Sequence, residues 1–362
     1  MKNIKIKHIT LFALLYLPTI LISQVPSNYY NSANGLSGYA LKTELKNIIN
    51  TNFNSLSYSY LYTVYQTADA DFYYENDATV LDMYSENPSG ADAYSYAQIV
   101  ANRCTGSSLY LAEAECYNRE HIVPQIAFNY QFPMKSDAHF VFPTDGFVNA
   151  ERGSYAFGEV SNPTWTSNNG SKVGKNTFDS YIYSAFEPID EFKGDIARMM
   201  MYMYLRYGNQ CKPNNVGIGS TASTPDDMID LFLEWNAEDP VSDFERQRNT
   251  YHDSNQTYAQ GNRNPFIDNA YLATKIWGGT PAEDSWGIYV SPDTEAPTVP
   301  ANILINNTTL SSISVSWSAS IDNVIVEKYE VYANGVTNGE TTNTSYTLST
   351  KGTSLLFKAK VP

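Results

Sequence analysis

The stretch Tyr117–Gln125, YNREHIVPQ, decides the fold of the larger part of this chain. It places an acid, Glu120, next to a histidine, His121, shortly before a proline that would end a strand. A second stretch, Pro143–Arg152 (PTDGFVNAER), follows and adds further polar side chains. We therefore predict a short strand, a loop and a helix that bring the two stretches together.

These residue types suit the hydrolysis of a phosphodiester. A histidine can take a proton from water near neutral pH, because its unperturbed pKa is about 6.5. A carboxylate and an amide oxygen are hard ligands for Mg²⁺, which keeps several waters and completes its shell with substrate phosphate. We therefore predict that His121 is a general base and that Glu120 and Asn149 bind one Mg²⁺ ion, with Mn²⁺ or Ca²⁺ as alternatives.

The adjacent pair raises a geometric question, since neighbouring residues of a regular strand point to opposite faces. The strand could bend or bulge at Glu120 and His121. Alternatively, the metal and the attacking water could lie on two sides of a phosphate that straddles the end of the strand. The residues alone leave both arrangements open.

The histidines also have a structural interpretation. The chain has four histidines, of which His8 lies in a leader segment, so His121, His139 and His252 remain. A lone histidine is more often a satisfied structural side chain than a catalyst. For His121, the acidic neighbour, the proline-terminated strand and the polar cluster downstream favour catalysis.

The first 23 residues have the order of a secretory signal peptide, with lysines, a short apolar run and a small residue near the cut. The apolar run contains a proline and is shorter than the ~20 residues of a spanning helix. We therefore expect export and a mature chain without a membrane span.

Losing this leader removes three lysines, which leaves 20 basic against 38 acidic residues and a net charge of −18. Such a charge repels nucleic acid at long range, so a nuclease would need a bound cation and a local basic patch.

Three cysteines in an exported chain allow one disulfide and one further thiol. Cys104 and Cys116 lie twelve residues apart, just before the Glu120-His121 pair, and a bridge between them would brace this strand. Closing a loop of that size contributes ~3 kcal/mol to stability by chain-entropy reasoning. Cys211 would be the unpaired thiol, and none of the three has the spacing of a zinc site.

The length of the chain and a change in its composition and periodicity indicate two domains. Residues 24–290 are rich in tyrosine and helical patterns, residues 291–300 form a proline-rich linker, and residues 301–362 alternate with period two. The predicted fold class is therefore α+β, with a helix-rich domain followed by a small antiparallel β-sandwich. The sandwich carries no charged cluster, metal spacing or nucleophile, so we assign it no chemistry.

Helix signals occur at several places in the larger domain. Leu41, Leu45, Ile48 and Ile49 fall on one helical face. The pairs Thr224-Pro225 and Asp239-Pro240 each have the form of a helix start, with a capping residue, a proline and nearby acids. We therefore expect one helix to begin at each pair.

The stretch YNREHIVPQ, followed by MKSDAHFVFPTDGFVNAERGSYAFGEV, closely resembles the secreted bacterial endonuclease I family, whose core is the ββα-metal motif. Further matches are YYNSANGLSGYALKTEL, KGDIARMMMYM and QGNRNPFIDN, and together they span roughly residues 29–287. The combination is specific, although each piece alone is weak. The resemblance implies a helix-rich ββα-metal nuclease domain.

Carried over by position, the resemblance also implies His121 as general base and Glu120 and Asn149 as Mg²⁺ ligands. Arg119 and Arg152 would flank the phosphate or brace the ligands. The other matched polar residues would lie around the site: Asp137 and His139 next to the ligands, and Asn262, Arg263, Asn264 and Asp268 as substrate contacts or buttresses. For His139, a packed structural role is the alternative.

The sequence departs from the family at Ile126, where relatives often carry a serine, and the short span before Asn149 lacks insertions that supply extra arginines in some relatives. These departures concern the binding and choice of substrate. They leave the predicted general base His121 and the predicted metal ligands Glu120 and Asn149 in place. Residues 301–362 resemble a fibronectin type III module with Trp317 in its second strand. The chain stops after about six of the seven strands of that pattern, so we expect the module to be incomplete.

The leading hypothesis is an exported, Mg²⁺-dependent, sugar-nonspecific endonuclease that acts on DNA and RNA. A second hypothesis is an adhesin or matrix-binding protein, in which the sandwich contacts a surface or polysaccharide and the nuclease-like part is a scaffold. The intact Glu120, His121 and Asn149 argue against it. A third is a phosphodiesterase for another extracellular phosphate ester, which the same ligands would serve.

Overall fold

The computed structural model divides the chain into two compact units, residues 1–287 and 288–362. The predicted signal peptide lies outside the described residues, as do residues 291–295 of the predicted linker. The structure describes residues 25–105, 110–179, 181–289, 296–309, 311–322, 326, 328–349 and, for the backbone alone, 355–360.

In the described part of the first unit, helices contain more residues than strands and pack around one large apolar core. Strands form two small sheets beside them, which confirms the predicted α+β fold class. Within the described residues the helices are α1 (Gly38–Asn50), α2 (Leu61–Ala68), α3 (Gly146–Arg152), α4 (Lys193–Tyr207), α5 (Asp230–Glu238), α6 (Asp243–His252), α7 (Pro265–Asp268) and α8 (Tyr271–Trp277).

The core is organised around α4. Every residue of this helix from Lys193 to Arg206 is buried, which is the behaviour of a helix surrounded by protein on all sides. α1 is amphipathic and buries Leu41, Leu45 and Ile49, as its sequence pattern predicts, whereas Ile48 is only partly buried. α4 therefore supplies a rigid centre against which the outer helices pack.

One sheet of the first unit is a two-stranded ladder and the other has four strands in the order β3-β6-β5-β4. β3 runs parallel to β6, and the other pairs are antiparallel. The strands are β1 (Tyr117–His121), β2 (Val141–Asp145), β3 (Ala156–Phe157), β4 (Val160–Thr166), β5 (Lys172–Asn176) and β6 (Ser184–Glu187).

β1, β2 and α3 form a ββα unit. The ladder between the two strands is regular, with Glu120 opposite Phe142 and His121 opposite Val141, and its register does not shift. The alternative that β1 bulges at Glu120 and His121 is therefore wrong. His121 is the last residue of β1, so the pair stands where the strand ends.

α3 begins immediately after β2 because Asp145 caps it. The Asp145 carboxylate accepts hydrogen bonds from the backbone N–H groups of Phe147 and Val148, at 2.7 and 2.9 Å. The Cys104–Cys116 disulfide is present, as predicted, and lies against the start of α3. A Cβ atom on Gly146 would stand 2.6 Å from the Cys104 sulfur, so glycine is required there.

Two predicted helix starts are wrong. α5 begins at Asp230, not at Thr224-Pro225, because Asp226 adopts a φ of 62° that cannot continue a right-handed helix. α6 begins at Asp243, where Ser242 and Glu245 form a capping box. Asp239 instead accepts a hydrogen bond from the backbone N–H of Gly194 at 2.8 Å. A long-range contact thus takes up the Asp239 carboxylate that looked like a local cap.

The second unit consists of two three-stranded antiparallel sheets, in the orders β11-β8-β7 and β10-β9-β12. Alternate residues of its strands, including Val315, Trp317 and Val331, form a small separate core, as the period-two pattern predicts. The strands are β7 (Ala301–Thr308), β8 (Ile313–Ser318), β9 (Lys328–Ala333), β10 (Val336–Thr341), β11 (Ser345–Leu348) and β12 (Leu355–Lys360).

Across the described parts of both units, the helices are too short or too polar to cross a bilayer.

Candidate active site

A cleft of about 260 Å³ opens where β1 ends beside α3. Its walls include all five residues predicted for the catalytic centre, and these come from two segments that are distant in sequence. The five residues are Arg119, Glu120, His121, Asn149 and Arg152. Antiparallel pairing of β1 with β2 and the sharp turn into α3 bring the two segments together.

Another cleft of the first unit is larger, about 480 Å³, and is lined by Glu159, Lys193 and Trp235 among others. The Lys193 ammonium is held between carboxylates, 2.8 Å from Glu159 and 3.0 Å from Glu187. The residues that line this cleft include neither a histidine nor an amide side chain. Size alone therefore does not identify the reactive site.

Glu120 is a buried carboxylate held by two partners. Its Oε1 atom accepts a hydrogen bond from the Tyr84 hydroxyl at 3.1 Å and lies 3.3 Å from Nη1 of Arg152. Burial raises the pKa of Glu120 above its ordinary value, while Arg152 and Tyr84 act in the opposite direction. A divalent cation in the cleft would add the positive charge that favours its ionised form.

His121 is oriented by a backbone carbonyl. Its Nε2 atom lies 3.0 Å from the oxygen of Lys135, and since a carbonyl only accepts, Nε2 carries the proton and Nδ1 keeps its lone pair. The rings of Tyr58 and Phe140 pack against the imidazole, with centroids at 5.6 and 5.7 Å. Burial lowers the pKa of His121 to about 4, so the ring is neutral at pH 7.

Asn149 projects from α3 towards the end of β1. Its Nδ2 atom donates to Oδ1 of Asn118 at 2.7 Å. Because this bond fixes the nitrogen side of the amide, the oxygen side remains as a ligand atom. Asn118 therefore sets the orientation of a residue that we predicted as a metal ligand.

Arg152 is buried and makes its contacts inside the protein. Nη1 donates to the backbone oxygen of His121 at 3.2 Å, and Nη2 donates to that of Ile122 at 2.7 Å. With the contact to Glu120, these bonds tie α3 to the end of β1. Of the two roles considered for Arg152, the geometry favours bracing.

Arg119 has a different environment at the wall of the cleft. Its guanidinium lies over the ring of Tyr58, 3.6 Å from the centroid, and Nη1 donates to the Tyr58 backbone oxygen at 2.8 Å. The side chain is only partly buried. Arg119 therefore presents a positioned positive charge to the cleft of a strongly acidic protein.

The residues predicted next to the ligands lie deeper. His139 places Nε2 3.0 Å from the backbone oxygen of Asn262. The Asp137 carboxylate accepts hydrogen bonds from Tyr202 and Tyr207, at 3.1 and 2.7 Å. None of these residues lines the cleft. They form a buried polar network whose partners come from the described protein itself.

The segment from Asn262 to Asp268 is also internally bonded. Arg263 and Asp268 form a bidentate ion pair, with Nε to Oδ2 at 2.8 Å and Nη2 to Oδ1 at 2.6 Å. Asn264 caps α7 by accepting from the backbone N–H of Phe266, and it donates to the backbone oxygen of Arg198. Of the two roles considered for this segment, these bonds favour buttressing.

Sequence reasoning missed three residues that contact the predicted centre: Tyr58, Tyr84 and Asn118. Tyr84 reaches Glu120 across 36 positions and Asn118 reaches Asn149 across 31. The chain has 29 tyrosines, so no local signal distinguishes Tyr58 and Tyr84 from the others. Only their contacts in the folded structure reveal them.

The side chains in the cleft fit a hard divalent cation. A carboxylate from β1 and an amide oxygen from α3 are oxygen donors, and a cleft open to solvent supplies waters for the rest of a Mg²⁺ shell. The described residues of the cleft offer no thiol that would favour a softer metal. The neutral imidazole beside these donors has the protonation state that a general base requires.

The sequence profile of the Endonuclease I family matches residues 37–271. The chain belongs to the Endonuclease I family. It is therefore a nuclease, a hydrolase of phosphodiester bonds, in a family of metal-dependent enzymes. The match includes the whole ββα unit and the cleft that it forms.

Two relatives extend this finding along most of the chain. The extracellular ribonuclease of Bacillus amyloliquefaciens is 32% identical over 276 residues, which covers 74% of this chain and 84% of the relative. The extracellular ribonuclease of Bacillus subtilis (strain 168) is 31% identical over 255 residues, which covers 69% of this chain and 78% of the relative.

The C-terminal part has separate relatives. It matches fibronectin type III-like modules of chitinases and of an alpha-amylase. An alpha-amylase of Niallia circulans is 47% identical over 70 residues, which is 19% of this chain and 5% of that protein. The resemblance of this part to a fibronectin type III module is thereby confirmed.

Proposed function

We propose that this chain is an exported, Mg²⁺-dependent endonuclease that hydrolyses RNA and DNA, with His121 as general base and Glu120 and Asn149 as ligands of one ion. The observation that carries the proposal is the shared cleft, in which a neutral imidazole faces the same space as two oxygen donors. Two relatives named extracellular ribonucleases and the leader-like start of the sequence support export and action on RNA.

In this proposal His121 takes a proton from the attacking water on Nδ1. The bond from Nε2 to the Lys135 oxygen holds the ring in the required tautomer. The same carbonyl stabilises the imidazolium that forms, because it continues to accept from the N–H group. Packing of Tyr58 and Phe140 against the ring limits its rotation.

Glu120 and Asn149 would hold the cation at the other side of the phosphate. When bound, Mg²⁺ supplies charge that neutralises the phosphate and the leaving oxygen. Tyr84 and Arg152 keep the Glu120 carboxylate at the cleft, and Asn118 keeps the amide oxygen of Asn149 directed outward. Partners that fix metal ligands in this way raise metal affinity.

The proposed chemistry does not require a ribose hydroxyl. Water is the nucleophile, so the 2′-OH that distinguishes RNA from DNA plays no part in bond breaking. Tyr130 lines the cleft and is 57% exposed, which suits stacking on a base of either nucleic acid. Arg119 supplies local positive charge for the backbone. We therefore expect both nucleic acids as substrates.

The test compares cleavage of plasmid DNA and of RNA by the wild type and by His121→Ala, each with Mg²⁺ and with EDTA. We expect wild-type cleavage of both substrates that EDTA and the substitution each abolish. His139→Ala is the matched control, since that histidine is equally buried but lies outside the cleft. Cleavage that survives both EDTA and His121→Ala would overturn the mechanism.

We also infer that the second unit contacts a polysaccharide or a surface, because relatives of this part occur within an alpha-amylase and chitinases. The inference predicts that the full chain pellets with insoluble chitin or starch granules. Failure to pellet with a panel of insoluble polysaccharides would contradict it and would leave the nuclease proposal unaffected.

A further inference from the structure

Three carboxylates outside the cleft converge in the segment between α2 and β1. Asp71, Glu75 and Glu86 each place one oxygen within 4.8 Å of the others. The sequence contains no lysine, arginine or histidine between Lys46 and Arg103, so this segment carries no positive charge of its own. We propose that the three carboxylates form a structural Ca²⁺ site that is distinct from the catalytic centre.

Glu86 is the observation that points to a ligand. It is 1% exposed, and in the described part of the chain its Oε1 atom has no hydrogen-bond partner. An unpaired buried carboxylate is costly, and such groups are normally paired or coordinate a metal. The charged groups that act on it are all acids: Asp92, Glu75, Asp71 and Asp82.

The same surroundings raise the pKa of Glu86 to about 9, mainly through burial and then through the neighbouring acids. Without a cation this side chain would therefore hold a proton at neutral pH. A divalent ion would displace that proton, because it supplies the positive charge that the segment lacks. The alternative, a carboxyl group that simply stays protonated, makes the opposite prediction about calcium.

Asp71 is held in place for such a role. Its carboxylate accepts hydrogen bonds from the backbone N–H groups of Tyr73, Tyr74 and Glu75, each at 3.0 Å. These bonds shape the loop so that Asp71 and Glu75 face the same point. Each carboxylate oxygen has two lone pairs, so an oxygen that accepts one N–H can also bind a cation.

The site suits Ca²⁺ better than Mg²⁺. Calcium takes six to eight oxygens at about 2.3–2.6 Å in flexible geometry, whereas Mg²⁺ demands a near-ideal octahedron at about 2.0–2.1 Å. Three carboxylates that place oxygens within 4.8 Å of one another can join one flexible calcium shell. Glu75 is exposed, so that water can complete the coordination and the ion can enter.

The site is connected to the catalytic cleft through a short segment. Glu86 lies two residues after Tyr84, whose hydroxyl bonds Glu120. Asn169 fastens this segment by donating to the backbone oxygens of Met83 and Glu86, at 3.1 and 3.3 Å. A cation on Glu86 would stabilise the turn that presents Tyr84 to the cleft.

The test measures calcium binding directly on the full mature chain, in the Glu120→Gln background that removes the proposed catalytic ligand. After EDTA treatment and dialysis, CaCl₂ is expected to raise the melting temperature by about 5 °C at a hundredfold excess over Kd. Tb³⁺ is expected to show tyrosine-sensitised luminescence from Tyr73 and Tyr74, and excess Ca²⁺ should quench it. MgCl₂ at the same concentration should have a much smaller effect.

Glu86→Gln and Glu75→Gln distinguish the site from calcium bound elsewhere. Both substitutions should abolish the calcium shift and the terbium signal. Glu86→Gln should also raise the melting temperature in EDTA at neutral pH, because it removes a carboxyl group that must take up a proton when the chain folds. Glu44→Gln, an acid in α1, is the control and should behave like the parent.

Absence of a calcium shift and of terbium luminescence in the parent would overturn the site, and so would shifts that Glu86→Gln leaves unchanged. Neither outcome depends on cleavage. A failure here therefore leaves the proposed nuclease mechanism unaffected, and cleavage that survives EDTA and His121→Ala would leave the calcium site unaffected.

Discussion

His121 and His139 occupy two regions that look alike by most measures. Both side chains are buried, each places Nε2 3.0 Å from a backbone oxygen, and burial lowers the pKa of each to about 4. Their surroundings differ. His121 lines a cleft with two oxygen donors, whereas His139 packs against the rings of Tyr202 and His252, at 4.6 and 4.9 Å.

Neither burial nor a lowered pKa therefore identifies the catalytic histidine. Both rings are neutral and both have a fixed tautomer, yet only His121 can meet a substrate. What separates them is whether the ring lines a cleft that also holds acid and amide oxygens. In the same way, Glu120 and Asn149 line the cleft, whereas Asp137 makes its hydrogen bonds inside the protein and does not line it.

The largest effect should come from exchanging the histidines for alanine. In His121→Ala we expect kcat to fall by about 10³-fold, because general-base catalysis contributes on that order. In His139→Ala the loss should appear in the free energy of unfolding, with kcat per folded molecule little changed. Steady-state cleavage of a labelled oligonucleotide, corrected for the folded fraction by circular dichroism, measures both.

Equal losses of kcat per folded molecule in the two variants would contradict this distinction between His121 and His139. That result would mean that the buried network takes part in the chemistry.

Asp268→Ala should destabilise the protein by ~3 kcal/mol, because it leaves the buried Arg263 guanidinium without its bidentate partner. Cleavage by the folded fraction should stay near the wild-type rate. Asp253→Ala is the matched control: its carboxylate is farther from Arg263, at 3.5 Å, and more exposed, so the loss should be smaller. Urea unfolding followed by fluorescence gives both values, and a larger loss for Asp253→Ala would contradict the buttressing role.

Tyr84→Phe should weaken the apparent affinity for Mg²⁺ about tenfold, since removing a group that orients a metal ligand costs on that order. The defect should be relieved by excess Mg²⁺. Tyr202→Phe serves as control, because its hydroxyl belongs to the Asp137 network and should leave the Mg²⁺ dependence unchanged. A Tyr84→Phe enzyme with wild-type Mg²⁺ dependence would show that this hydroxyl does not position Glu120.

The smallest effect concerns pH and stability. Burial, with His139 and Arg248 nearby, holds the pKa of His252 well below its ordinary value. The unfolded chain therefore binds a proton near pH 6.5 that the folded chain excludes, so this contribution is fully present above that pH and is lost as the pH falls. Between pH 6.5 and 5.5 the wild type should lose about 1 kcal/mol more of unfolding free energy than His252→Asn. Parallel pH profiles would show that His252 is not buried neutral.

Much of the site follows from local sequence signals. The proline after β1 and the separation of twelve residues between the two cysteines are local signals, so the strand end and the disulfide could be predicted. The contacts of Tyr84 and Asn118 depend on pairing across more than thirty positions, and no local pattern encodes them. The helix start at Thr224 failed because Asp226 binds Lys42 at 2.6 Å in a left-handed conformation, a tertiary contact that overrides the local cap.

The central claim is that Glu120 and Asn149 hold the catalytic cation while His121 acts on water. Mn²⁺ binding measured by electron paramagnetic resonance, with cleavage assayed on the same samples in the Glu86→Gln background, separates these roles. We predict that Glu120→Gln and Asn149→Ala lose both the bound Mn²⁺ and cleavage, whereas His121→Ala keeps the Mn²⁺ and loses cleavage. Unchanged Mn²⁺ binding in Glu120→Gln, or full cleavage by His121→Ala, would contradict the account.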